Sequence, residues 1–452
     1  MKKLSVVVLG AGPGGEAAAK KAAAHGAEVT VVEKADLGGL CLNRGCVPTK
    51  TLLEAGRLLN RARAASAYLK GSDGLRVEWD ALQKKKTEVV SLFRKSIADA
   101  FARQKIKLLR GQARFLDDHT LVVHSDGVED RLSFDRAIVA TGSVPLVPPP
   151  FPAVEHDLLD SDKALGLARV PKRLLIVGGG AIGCEFACLF HELGSRVVLL
   201  EKTPALLPGE DAALVQVLQT SFEQRGIQIK TASTVDHLER KDGVWRCRLG
   251  GGETMEVDEV LLCVGRRPML TGLGFENAGL RPENGRLPVN EFLQTSRPHI
   301  YAVGDVNGHS LLAHAAAAQG ETAADHAAGV QTDPYDPLQV PRCLYTWPEA
   351  ASVGEWRHTA ETKGFVVKAH RFFFQGSPKA WASDEATGFL QLISDKNTGR
   401  ILGAQIVGPH ATELIHLVSV ALRAKLTTDQ LRSVVFAHPT LSESLRGALS
   451  RG

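Results

Sequence analysis

Apolar and polar residues follow one another along this chain in a pattern that is written twice. From Leu4 to Leu9 a short apolar run enters a Gly-rich turn. An Ala-rich stretch with helical spacing follows, and a second apolar run closes on Glu33. Residues 6–34, VVVLGAGPGGEAAAKKAAAHGAEVTVVEK, align without a gap on residues 174–202, LLIVGGGAIGCEFACLFHELGSRVVLLEK. Each copy predicts strand, G-x-G-x-x-G turn, helix, strand and terminal acid, with the same spacing from first glycine to acid. One such motif says little; two in register mark two nucleotide-binding βαβ units.

Beyond the repeat, Pro145–Pro152 (PLVPPPFP) cannot continue a helix or a central strand and predicts a linker before the second unit. Asp333 to Pro341 (DPYDPLQVP) does the same before the last part of the chain. Thr295 to Asp305 (TSRPHIYAVGD) predicts a turn feeding a short buried strand. Trp79 to Lys107 predicts an exposed amphipathic helix. The opening Met1-Lys2-Lys3 with its apolar run has the look of a signal peptide, but the run enters Gly10 with no small-residue cleavage site, so a first strand is expected.

The repeat carries candidate chemistry. Gly10, Gly12 and Gly15, and in the second copy Gly178, Gly180 and Gly183, permit a tight turn and a close approach of backbone to a pyrophosphate at the helix N-terminus. Glu33 and Glu201 end their second strands, where a carboxylate can accept from ribose hydroxyls. A 2′-phosphate at Glu201 would meet a like charge, costing about 4 kcal/mol near 4 Å at an effective dielectric of 20. Lys202 is the only adjacent cation, so NAD is expected rather than NADP.

Composition narrows the classes. The 452 residues are 44% hydrophobic and 23% charged, and the net charge is only +4. Lys84-Lys85-Lys86 reads as a solvated helix face, so no nucleic-acid partner is expected. No apolar run reaches a membrane-spanning length. Five of the seven cysteines are scattered, mostly among apolar residues, and read as inert buried thiols in a reducing cytosol.

The other two cysteines stand apart. Cys41 and Cys46 lie in GGLCLNRGCVPTK, just after the first nucleotide unit, with glycines flanking both and Arg44 and Lys50 supplying positive charge that favours a thiolate. A dithiol so placed suggests electrons moving between a nucleotide cofactor and a disulfide. Near the other end, His438-Pro439-Thr440-Leu441-Ser442-Glu443 offers an imidazole that a carboxylate can orient for proton transfer with a thiol.

In order along the chain, the first fingerprint, C-x4-C-V-P-T-K, Ala140-Thr141-Gly142-Ser143, the second fingerprint, Val264-Gly265-Arg266-Arg267-Pro268, Tyr301-Ala302-Val303-Gly304-Asp305 and H-P-T-L-S-E resemble the pyridine nucleotide–disulfide oxidoreductases. The likeness covers essentially the whole chain and is greatest to the dihydrolipoamide dehydrogenase branch. Mercuric reductases carry a vicinal cysteine pair near the C-terminus, where this chain has Ala448-Leu449-Ser450-Arg451-Gly452. Glutathione reductases favour NADP and usually place a Tyr where Ala181 stands.

The resemblance implies an α/β fold with two Rossmann-like dinucleotide-binding domains, for FAD and NAD, plus a C-terminal α+β dimerisation domain. Its expected boundaries are 1–147 (FAD, with the redox cysteines), 148–270 (NAD), 271–338 (completing the FAD site) and 339–452 (interface). It implies FAD held by Gly10, Gly12, Gly15, Glu33, Lys50, Thr141, Gly142, Asp305 and Ala313. NAD would be held by Gly178, Gly180, Gly183, Glu201 and Gly265, and no metal site is expected. In the implied homodimer, Cys41 exchanges with the substrate sulfur, Cys46 lies nearer the flavin, and Lys50 pairs with Glu185. His438, held by Glu443, acts as acid–base from the other subunit. The implied reaction is FAD-dependent oxidation of dihydrolipoyl groups on a carrier protein with reduction of NAD+. The partner would be that lipoyl carrier, free or in a larger lipoyl-dependent complex, in the cytoplasm. The alternatives are reduction of another small disulfide or sulfur species, and a flavoprotein subunit of a lipoyl-dependent sulfur-handling assembly. Two positions depart from the pattern: Leu40 replaces the usual Thr, and Arg44 replaces an apolar residue. Arg44 is expected to stabilise the thiolate and raise the disulfide potential.

Overall fold

The structure is a computed structural model and describes residues 3–125 and 127–450, so Met1, Lys2, Arg451 and Gly452 of the terminal runs lie outside the described residues. The chain divides into two units, neither continuous. The first comprises Met1–Thr51, Gln83–Leu146 and Gly265–Pro337; the second comprises Leu52–Leu82, Val147–Val264 and Leu338–Gly452.

In the first unit the strand Ser5–Leu9 lies parallel between Glu28–Glu33 and Arg136–Val139, with Lys107–Arg110 and Ile300–Ala302 at the edges. Val6 and Val8 face a core that includes Ala18, Ala22 and Phe101; Val7 and Leu9 face one that includes Phe115, Phe134 and Phe275. Burial on both faces is why the strand reads as an unbroken apolar run. Helix Pro13–Ala24 meets helix Ala313–Ala327 so closely that a Cβ on Gly320 would lie 2.2 Å from the Gly14 carbonyl oxygen. A three-stranded antiparallel sheet (Gln112–Phe115, Thr120–Ser125, Val128–Ser133) completes the unit's main layers.

The second unit repeats this plan. Gln228–Lys230, Arg196–Leu200, Arg173–Val177 and Glu259–Leu262 form a parallel sheet in the same order as their counterparts, and an antiparallel meander (Val235–Lys241, Val244–Leu249, Thr254–Val257) again sits between the third and fourth strands. The repeat therefore extends well past the aligned motif. The unit also holds a five-stranded antiparallel sheet built from Arg342–Leu344, Glu349–Gly354, Ile401–Gly408, Phe389–Asp395 and Val367–Phe373, packed on helix Ala411–Arg423. The α/β class with an α+β C-terminal part is as expected.

The long helix spans Trp79–Arg103 and stops short of Lys107. Lys105 turns to φ 56° and Ile106 is buried, so Lys107 begins the third strand instead. Lys84 and Lys85 are exposed on that helix, as a solvated face requires, whereas Lys86 is half-buried and donates to Gln83. Of the five scattered cysteines, Cys184, Cys188 and Cys247 are buried, whereas Cys263 and Cys343 are half-buried; burial pushes the thiols of Cys188 and Cys247 up to about 12, and those of Cys184 and Cys263 higher. Among the described residues no helix is long and apolar enough to cross a membrane.

Candidate active site

The two glycine turns are near copies. Gly10 has φ 103° and Gly178 φ 112°; a Cβ on either would lie 2.4 Å from a carbonyl oxygen, of Ala140 and Cys263 respectively. Gly12 and Gly180 cap their helices in extended conformations with no side-chain cap, leaving the first N–H groups to a ligand. Gly15 and Gly183 each bring helix onto turn, where a Cβ would lie 1.9 Å from the Gly10 and Gly178 carbonyl oxygens respectively. The buried Glu33 carboxylate accepts from the Ala11 and Ala35 N–H groups, both at 2.7 Å. Glu201, equally buried, accepts from Gly179 N–H (2.7 Å), Thr203 N–H (2.8 Å) and the Thr203 hydroxyl (2.9 Å). A carboxylate has about four acceptor sites, so both keep capacity for ribose hydroxyls. The residues present fit a dinucleotide in each unit.

The far wall of the first site is built by equivalent segments of the two repeats. Strand Ser143–Pro145 pairs antiparallel with Arg266–Pro268, closed by reciprocal bonds from Leu146 N–H to Gly265 O (3.0 Å) and Met269 N–H to Gly142 O (2.9 Å). Gly142 (φ 74°) and Gly265 (φ 120°) face open space, so conformation alone requires glycine there. The Thr141 hydroxyl donates to Met269 O. Ser143 donates to the Asp305 carboxylate at 2.5 Å and accepts from Arg266 Nε at 2.9 Å. Burial raises the Asp305 carboxyl above its ordinary range, against the opposing pull of Ser143 and Arg266. Beside it, Gln319 accepts from Gly304 N–H and Asn307, which fixes the turn that presents Asp305. Ala313 begins its helix with no side-chain cap. Gly265 belongs to the first unit, whereas Gly178, Gly180, Gly183 and Glu201 belong to the second.

The dithiol rests directly on the first glycine turn. Gly38 (φ 87°) donates to Ala11 O, and a Cβ on Gly39 (φ 58°) would lie 2.7 Å from Gly12 Cα, so only glycine lets the short helix Gly39–Arg44 start there. Gly45 lets the chain double back, its Cβ position lying 3.2 Å from Cys41 Cα. Cys46 then opens helix Cys46–Ala64, with Pro48 in the first turn, where no intrahelical donor is lost. Cys41 is half-buried and Cys46 exposed, and their side chains are hydrogen-bonded to each other. That bond and burial raise the Cys41 thiol strongly, with Lys50 acting in the opposite sense. Cys46, Val47, Lys50 and Thr51 line an open pocket of about 370 Å³. Asn43 ties the segment down, donating to Leu37 O and Gly39 O and accepting from Arg94 at 2.7 Å. Lys50 is a cation that acts on Cys41, and Arg44 is exposed.

In the second unit, His438 Nδ1 lies 3.0 Å from Glu443 Oε2, and Glu443 Oε1 accepts from Thr440 N–H. The His438 side chain is 70% exposed. Glu185 is buried in helix Ala181–Glu192 and accepts from Tyr345 N–H at 3.1 Å. The first unit therefore gathers Cys41, Cys46, Lys50 and the residues expected around FAD; the second gathers His438 with Glu443 and the NAD turn. Sequence reasoning missed Asn43, Arg94, Gln319 and the Arg266–Ser143–Asp305 relay. Ser143 and Arg266 stand in motifs already quoted, but nothing in their spacing says that they bond.

Residues 4–320 match the family model described as pyridine nucleotide-disulphide oxidoreductase, and residues 340–449 match its dimerisation domain. The chain belongs to the pyridine nucleotide–disulfide oxidoreductase family. It is 36% identical to a dihydrolipoyl dehydrogenase of Bacillus subtilis, with 99% of this chain and 98% of that one covered. A dihydrolipoyl dehydrogenase of Thermus scotoductus is 38% identical over 99% of this chain and 97% of its own. Among solved structures, LpdA of Mycobacterium tuberculosis matches with a TM-score of 0.93 at 27% identity over 99% of both chains. The HOCl-induced flavoprotein disulfide reductase RclA of Escherichia coli matches at 0.88 and 28% identity, again over 99% of both. The protein is an NAD-dependent flavoprotein disulfide oxidoreductase with the family's dimerisation domain.

Proposed function

We propose that this protein oxidises dihydrolipoyl groups borne on a carrier protein and reduces NAD+, as a cytosolic homodimer. The single observation that carries the reading is the hydrogen-bonded Cys41–Cys46 pair resting on the first dinucleotide turn. Identity of 35–38% to dihydrolipoyl dehydrogenases over nearly full length supports the substrate.

Bound FAD supplies the two-electron relay from the dithiol to NAD+. In the oxidised enzyme a lipoyl thiolate attacks Cys41 Sγ, the Cys41–Cys46 bond breaks, and Cys46 leaves as thiolate. The second lipoyl thiol then attacks the substrate sulfur of the mixed disulfide, forming lipoamide and releasing Cys41. Cys46 is suited to the thiolate role, at the N-terminus of a helix with Lys50 one turn along. The attacking lipoyl thiol needs a base to take its proton, and Cys41, whose thiol is raised by its bond to Cys46, takes a proton back as it leaves. We assign that base to His438 of the partner subunit, oriented by Glu443. Lys50 and Glu185 are assigned as a pair beside the flavin, and Thr141, Gly142, Asp305 and Ala313 as its further contacts. The four-domain division at 147, 270 and 338 is kept as part of this reading.

Anaerobic mixing of the oxidised holoenzyme with dihydrolipoamide, followed by NAD+, tests it. A long-wavelength absorption band that decays as NADH forms is expected. Reduction by NADH but not by dihydrolipoamide would retain the cofactors and overturn the substrate. The shared site has its own test: mixed dimers of Cys46→Ser and His438→Ala subunits should regain activity that neither variant has alone.

A further inference from the structure

We propose that Asp118, His119 and His299 form a binding site for a divalent transition-metal ion, and zinc is the ion whose preferences fit it best. One donor atom from each lies within 4.8 Å of the others, the one such group of three among the described residues. His119 stands in the turn between strands Gln112–Phe115 and Thr120–Ser125, and His299 immediately precedes strand Ile300–Ala302. Both are thus at the end of the parallel sheet where strand Ile300–Ala302 begins, whereas the Gly10 turn follows the end of strand Ser5–Leu9. The reaction described above uses none of the three.

The hydrogen bonds argue for ligation. His119 Nδ1 lies 3.2 Å from Phe134 O, and His299 Nε2 lies 2.6 Å from Asp118 O. A carbonyl oxygen only accepts, so these nitrogens carry the hydrogens and the lone pairs sit on His119 Nε2 and His299 Nδ1. An imidazole whose second nitrogen donates to a backbone carbonyl is the outer-shell arrangement that fixes metal-binding histidines. Asp118 adds an anionic oxygen. Two imidazoles and one carboxylate suit zinc, with the fourth position left to water, and do not suit the all-oxygen preference of calcium or magnesium. Asp117 lies nearby, its carboxylate accepting from the His119 backbone N–H at 2.8 Å.

The rings lie parallel, 4.2 Å between centroids and 5° apart in plane. Parallel rings cannot both aim an in-plane lone pair at one ion, so binding turns the exposed His119, which gives up its 3.2 Å bond to Phe134 O, while His299 keeps its bond to Asp118 O.

The test uses the FAD-loaded dimer with Cys41 and Cys46 oxidised, so that the dithiol takes no zinc. Zinc is titrated against a chromophoric chelator, and metal per chain is measured after dialysis. One zinc per chain is expected, with affinity falling at least about tenfold in His119→Ala and in His299→Ala, while flavin content is unchanged. No zinc retained by the wild type, or equal affinity in both variants, would overturn the site and leave the stacked rings as packing against Phe134. If His299→Ala does not fold, His119→Gln and Asp118→Asn carry the comparison.

Discussion

The two dinucleotide units share strand order, glycine turns, buried acid and even the antiparallel sheet before the fourth strand, but they differ in the connection from second to third strand. In the second unit that connection, from Glu201 to Gln228, contains one regular helix, Ala212–Arg225. In the first it runs from Glu33 to Lys107 and contains Gly39–Arg44, Cys46–Ala64 and Trp79–Arg103. The dithiol lies wholly within this longer connection. One scaffold thus binds a nucleotide twice, and the copy with the longer crossover also carries the thiol chemistry. The contact that seats it, Gly38 N–H to Ala11 O, is matched in the other copy by Leu207 N–H to Gly179 O, but there the position is not a glycine.

The largest expected effect comes from breaking that added chemistry alone. Cys46→Ser should lower dihydrolipoamide turnover by about 10³-fold or more while flavin content is retained, as measured by steady-state kinetics and the bound-flavin spectrum. The shared geometry should break in opposite ways in the two copies. Gly10→Ala forces a Cβ against Ala140 O at φ 103° and should abolish flavin retention; Gly178→Ala makes the same clash with Cys263 O and should leave flavin bound but raise the KM for NAD+ at least about tenfold. Equal loss of flavin in both would show that the units are not independent.

Asp305 gives a pH-dependent contrast, since it follows Ile300–Ala302, the fifth strand that the four-stranded second sheet lacks. Its carboxyl is raised in the fold by burial, so the folded state holds a proton that the unfolded chain releases at lower pH. Stability therefore falls as pH rises from the unfolded value through the raised folded value, and the ionised carboxylate is a cost at neutral pH. Asp305→Asn should flatten this dependence in the flavin-stripped protein, read as the urea midpoint against pH, while weakening flavin binding. The smallest effect should come from Thr203, whose hydroxyl gives Glu201 a third donor that Glu33 lacks. That hydroxyl has one hydrogen and lies as close to Ala205 O (2.8 Å) as to Glu201, whose carboxylate keeps two backbone donors. Thr203→Val should therefore change the KM for NAD+ by no more than about fivefold.

The parts legible in the sequence are those that local periodicity or backbone sterics dictate. Val6–Leu9 had to be a buried strand, Gly10 a turn, and Glu33 an acid beside it, and all are so placed. The antiparallel sheets escaped the aligned repeat because their strands match in position while their side chains differ. The Arg266–Ser143–Asp305 relay was hidden because its members are far apart in sequence and meet only through the ribbon of Ser143–Pro145 and Arg266–Pro268. The surroundings of Cys41 were only partly legible: Arg44 and Lys50 both stand near it in sequence, but the larger influences on its thiol, the bond to Cys46 and burial, come from the fold.

The strand Ile300–Ala302, the Asp305 turn and the helix that covers Gly14 all come after the second nucleotide unit in the chain. During synthesis the ribosome must therefore deliver the entire second fingerprint before the first pocket has its last wall. An amino-terminal nascent fragment exposes the alanine face of helix Pro13–Ala24 and one bare edge of its sheet until that return. On the assignment of Asp305 and Ala313 to the flavin made above, loading waits for this return, and a fragment that stops before residue 300 lacks both contacts.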